Sequence, residues 1–169
     1  MFGLTSLGIF HTAISLVALA AGLTALARTG AISMRTGVGK LYVWTTALTC
    51  ITGFGIFQHG GFGKPHLLGV ITLLTLGVAW AAGKGMVFGR LSPYVEAVAY
   101  SLTVFFHFVP ALAETLTRLP LGGPLLDSPE DPVLQGLDAF LFLLFLIGAT
   151  LQVRELRGSL RSAGTLRSV

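Results

Sequence analysis

The chain has four histidines, and two of them, His59 and His66, bracket one tight seam, QHGGFGKPH, from Gln58 to His66. The other two, His11 and His107, each lie inside a long apolar run. Around His107 the residues Glu96, Tyr100, His107, Glu114 and Arg118 recur at intervals of four and seven, which brings them close to one face of a helix. Imidazoles held on separate elements suit ligation of a metal ion or haem iron, and a carboxylate beside them, here Glu114, is the type of group that serves as general acid or base. Cys50 is the single cysteine, so the chain has no disulfide framework and no cysteine-based zinc site. Lys64 beside glycine fails the spacing of a phosphate-binding loop and is followed by Pro65.

The elements that position these groups follow from composition. Of 169 residues, 53% are apolar and 11% charged, and the mean hydropathy is +0.82. Ordinary soluble domains carry about 25% charged residues. The 22 glycines are scattered through the apolar runs, where small residues suit close helix packing in lipid. Apolar runs cover about 4–27, 41–57, 66–88, 95–117 and 134–153. A hydrocarbon core about 30 Å thick takes about 20 helical residues to cross, and the runs come close to that length. They are too long and too uniform to alternate as barrel strands. The first run lacks a basic leader and a convincing cleavage site before Arg28, which favours a retained helix over a signal peptide. The expectation is one all-α integral membrane domain over 1–169, with five transmembrane helices and a basic tail over 154–169. The first four helices should form a bundle, and the fifth, apolar all round, should pack outside it.

Nine of the eleven basic residues fall in the first and third connections and the tail; only Lys64 and Arg118 fall in the other two connections. The positive-inside rule then predicts the N-terminus outside and the C-terminus in the cytoplasm of a bacterial inner membrane. The basic tail reads as an anchor beside anionic lipid rather than a nucleic-acid site. On this topology His59 and His66 lie at the outer surface. His11 and His107 lie roughly 10 and 14 Å below it at 1.5 Å per residue. Asp138 falls near the outer end of the fifth helix.

Two kinds of centre fit that layout. His11 and His107, at comparable depth, are the axial pair for haem b, with Gly55, Gly69 and Gly77 leaving room for the porphyrin. Alternatively, His11, His59, His66 and His107 with Glu114 would bind zinc, copper or non-haem iron. No HExxH or ExxH spacing supports that second centre. Glu96 and Tyr100 are candidates for a proton relay toward His107. Pro110 should kink the fourth helix. The plainer alternatives are helix–helix hydrogen bonds for the deep histidines, headgroup contacts for the shallow ones, and belt or packing roles for Tyr42, Trp44 and Trp80.

The strings HTAISLVALAAGLTAL (His11–Leu26), GVGKLYVW (Gly37–Trp44) and AYSLTVFFHFVPALAETLTRLP (Ala99–Pro120) resemble a bacterial family of multi-pass membrane proteins known as domain of unknown function 2306. The similarity spans most of residues 10–120. The His-Arg pair usual ahead of the family's Gly-x-x-Tyr motif is replaced here by Arg35-Thr36-Gly37-Val38. The resemblance implies the multi-pass architecture and no activity. Separately, the histidine layout is similar in style to transmembrane b-type cytochromes. Three functions follow as expectations. The first is a small haem-b protein moving electrons, with quinol, in the periplasmic half of the membrane. The second is a metal-dependent membrane enzyme, and the third an accessory subunit of a larger membrane complex.

Overall fold

The computed structural model describes residues 5–57, 61–120 and 122–166, with side chains through residue 162. The described residues form helices and turns without strands. The helices are α1 (Ser6–Thr29), α2 (Gly37–Gly53), α3 (Lys64–Gly83), α4 (Ser92–Arg118) and α5 (Pro132–Leu166), with one 3-10 turn at Gly89–Leu91 before α4.

Local chemistry sets the ends. Thr5 caps α1 by accepting the Gly8 amide at 3.1 Å, and Gly30 closes it in the left-handed region, its N–H reaching the Leu26 carbonyl. Thr36 caps α2 by accepting the Gly39 amide at 3.0 Å. Pro65 in the first turn of α3 needs no amide partner there. After Gly83 the chain reverses through Gly85 and Phe88, both at positive φ, and α4 begins.

Neighbouring helices run antiparallel in a ring. α1 packs on α2, α2 on α3, α3 on α4, and α4 touches α1, while α5 leans on α4 alone among the helices. The interior of the ring is lined by small residues, Ala18, Ala21, Ala25, Ala79, Ala97 and Ala99, around the buried rings of Tyr42 and Tyr100. Gly22 permits the closest approach: a Cβ there would stand 2.8 Å from the Tyr42 ring. Outward faces carry Leu, Ile, Val and Phe, the reverse of a soluble bundle.

Four helices, α1, α3, α4 with its preceding turn, and α5, are long and apolar enough to cross a membrane. α2 differs from the expected span at 41–57. Its cap starts it at Gly37 and it ends at Gly53, so its 17 residues rise about 26 Å, at the short limit for crossing. α3 ends at Gly83 instead of continuing to 88, because the glycine-led reversal intervenes. Pro110 lies inside α4 without ending it. α5 continues through the expected tail to Leu166; Arg, Glu, Leu and Ser are tolerated or favoured in a helix, and Ser159 and Ser162 return their hydroxyls to carbonyls four residues back.

Candidate functional site: a polar thread inside the helix ring

α2 places Tyr42, Thr46, Thr49 and Thr52 on one inward stripe, and all but Thr52 are buried. Facing them are Thr103 and His107 of α4 and His11 of α1. The Tyr42 hydroxyl meets Thr103 Oγ1 at 2.6 Å, Thr46 Oγ1 meets His107 Nε2 at 3.0 Å, and Thr52 Oγ1 meets His11 Nδ1 at 3.1 Å. Thr46 also lies within reach of the Tyr42 hydroxyl. The Tyr42 ring stands edge-on to the His107 imidazole, with centroids 6.1 Å apart.

Proton positions follow from counting donors. Thr103 spends its hydroxyl proton on the Tyr100 carbonyl at 2.7 Å, so Tyr42 donates to Thr103. Thr52 spends its proton on the Leu48 and Thr49 carbonyls, so His11 donates from Nδ1. That leaves the lone pair on His11 Nε2. His11 interacts electrostatically with both His107 and Glu114. Glu114 itself is exposed and paired with Arg118 at 2.6 Å.

At the opposite end of α4 the buried carboxylate of Glu96 is held by Arg35 at 2.5 Å and by the Ser33 hydroxyl at 3.1 Å. Gly83 allows this approach, since a Cβ there would meet Glu96 Oε1 at 2.7 Å. Tyr100, 1% exposed, interacts electrostatically with Glu96, Arg35 and Tyr42. Its hydroxyl has no hydrogen-bond partner among the described residues. A cavity of about 110 Å³ opens beside it, lined by Arg35, Trp80, Lys84, Glu96 and Tyr100 together with Met34 and Gly83.

The histidine seam resolves differently from the deep pair. His66 is buried, 7% exposed; it caps α3 by accepting the Gly63 amide at Nδ1 (3.2 Å) and lies between the rings of Phe57 and Phe62, at 5.0 and 5.1 Å. Its Nε2 has no partner among the described residues. His59 lies outside them. A headgroup contact for His66 therefore gives way to a helix cap in an aromatic sandwich.

Among the described residues no three His, Cys, Asp or Glu side chains stand close enough to hold an ion, and His59, one of the expected ligands, lies outside them. The residues do not fit haem between His11 and His107 either. His107 turns Nε2 to Thr46, and Tyr42 fills the approach at Gly22. At Gly55 and Gly69, where a flat ring needs space, Leu7 and Phe54 stand at 2.9 and 3.1 Å from where a Cβ would be. Gly77 is exposed with nothing near it.

Of the residues expected from the sequence, the fold sets His11 and His107 against the α2 stripe and Glu96 and Tyr100 at the Arg35 cavity, whereas the sequence alone assigns Thr46, Thr103 and Arg35 no role there and Tyr42 only a belt or packing one. The spacing of Tyr42, Thr46, Thr49 and Thr52 was the available signal, a polar stripe at helical intervals in an apolar run. No family model, curated protein or solved structure matches the chain. The fold and site define its class: an all-helical chain with four helices long and apolar enough to span a membrane, and a hydroxyl–imidazole thread inside the ring.

Proposed function

We propose that the protein is a membrane-embedded proton-transfer module, in which Glu96 and Tyr100 at one end communicate with His107, His11 and Glu114 at the other. The observation that carries this reading is the pair of contacts Tyr42–Thr103 at 2.6 Å and Thr46–His107 at 3.0 Å, adjacent to each other inside the helix ring. Ionisable and polar side chains facing a bundle interior are the usual marks of a proton path.

Each hydroxyl in such a path accepts one proton as it passes on another, and the His107 imidazole does the same through its two nitrogens. The resting arrangement contains three breaks: the Thr103 proton lies on the Tyr100 carbonyl, the Thr52 proton lies on the Leu48 and Thr49 carbonyls, and among the described residues no hydrogen bond joins His107 to His11. Passage toward Glu96 requires the Thr103 hydroxyl to turn, with water in the neighbouring cavity completing the link. A volume of about 110 Å³ has room for about three waters. At the other end the open lone pair of His11 and the exposed Glu114 lead outward.

The nine-to-two distribution of basic residues supports an orientation with the Glu96 end toward the cytoplasm of a bacterial inner membrane. On this reading α2 completes a fifth crossing. A quinone or a further membrane subunit is the partner class that would use protons delivered this way.

The test is proton flux into liposomes of the purified protein, driven by a potassium diffusion potential and followed with an enclosed pH dye. The reading predicts acidification faster than in protein-free liposomes. Equal rates would leave the thread as helix packing.

A further inference from the structure

We infer that the cavity at the Arg35–Glu96 end is a binding site for a phosphate group, the chemistry shared by an anionic lipid headgroup and free phosphate. Four observations converge there. The Tyr100 hydroxyl lies on a side chain that is 1% exposed, lines the cavity and is without a hydrogen-bond partner among the described residues. That hydroxyl is accessible from the cavity and is free to donate to an acceptor oxygen placed there. The two cations of the lining, Arg35 and Lys84, outnumber its one carboxylate, Glu96, so the site carries a surplus positive charge. Arg35 gives Nε to Ser33 and Nη2 to Glu96, which leaves further guanidinium donors on a side chain that is 69% exposed, and Lys84 has no partner among the described residues. Finally, the cavity lies at the very end of α3, where Trp80, 43% exposed, and Met34 form an apolar wall continuous with the outward helix faces.

Basic pockets between helices at the end of a bundle are where lipid phosphates bind, and charge-assisted bonds from arginine and lysine to phosphate oxygens are the strong ones. About 110 Å³ accommodates a phosphate group while excluding a bulky headgroup. Acyl chains attached to such a group would run down the apolar wall. The inference does not depend on proton transfer: it concerns binding at equilibrium, measured without a gradient.

The experiment uses the full-length protein in detergent and two probes, phosphatidylglycerol and inorganic phosphate. Retention of lipid is read by native mass spectrometry against phosphatidylcholine, and phosphate binding by calorimetry. Wild type should retain phosphatidylglycerol at least tenfold better than phosphatidylcholine. K84Q and Tyr100→Phe should each lose most of that preference, while Lys84→Arg keeps it. Both variants leave the apolar core intact, and Tyr100→Phe removes a single atom. Binding of inorganic phosphate with the same dependence on Lys84 identifies free phosphate as a ligand; selective lipid retention without it identifies the headgroup. Equal retention of both lipids together with no phosphate binding overturns the site, as does a preference that K84Q and Tyr100→Phe leave unchanged.

Discussion

Glu96 is a buried carboxylate held from two sides. Its carboxylate is buried, yet its counter-ion Arg35 is largely in solvent, and Ser33 supplies a second bond. Removing the partner of a buried charge costs more than the pair contributes, because the remaining charge stays desolvated. Since solvent reaches Arg35, the cost is at the lower end: Arg35→Gln should destabilise the protein by about 1–3 kcal/mol. Glu96→Gln should cost less, since an amide still accepts from Ser33. Thermal unfolding in detergent measures both, and an order reversed between the two would contradict this account of the pair. On the exposed connection before α5, Ser128 first and Lys64 second hold the Glu130 carboxyl below the ordinary glutamate range. A lowered carboxyl contributes stability above its unfolded value and loses it as pH falls through its folded value. An NMR titration of Glu130 should therefore show a midpoint below that of free glutamate, moved upward by Ser128→Ala and by Lys64→Met. A midpoint unmoved by either substitution would remove both causes.

Among the elements, glycines divide by what stands opposite them. An alanine at position 22 would push its Cβ to 2.8 Å from the Tyr42 ring and 3.2 Å from Val104, both fixed in the core. Overpacking of this kind costs about 1–3 kcal/mol, which exceeds the gain of about 1 kcal/mol in helix propensity. At position 77 nothing lies within 4 Å, so only the gain remains. Gly22→Ala should lower the melting temperature and Gly77→Ala should leave it unchanged or raise it; the opposite ranking would contradict the packing of α1 on α2. All five helices were legible from apolar run length, because lipid selects on hydropathy over the whole window, and four of them are long and apolar enough to cross a membrane. Their ends were not. The Thr36 cap starts α2 ahead of its apolar run, Gly85 and Phe88 end α3 inside one, and α5 outlasts its own run because its polar residues suit a helix.

Across the whole molecule, polarity is turned inside out: leucines and phenylalanines outside, and a line of hydroxyls, imidazoles and one ion pair within. Histidines and carboxylates announced that line in the sequence, since ionisable residues are rare in apolar runs. The threonines did not, because a helical threonine can satisfy itself on the carbonyl one turn back, as Thr12, Thr24 and Thr75 do. Only the fold distinguishes those from Thr46, whose hydroxyl faces His107. Nor could spacing tell that His66 caps a helix while His11 and His107 face α2. The central claim is that Tyr42 passes protons between Thr103 and Thr46, and it turns on one oxygen atom. Tyr42→Phe keeps the ring that packs against Gly22 and His107 and deletes only that hydroxyl. Proton flux in liposomes should fall at least tenfold in this variant, a change of about 1.4 kcal/mol in barrier, with helix content by circular dichroism unchanged. Flux equal to wild type in a folded Tyr42→Phe protein would contradict the proton thread.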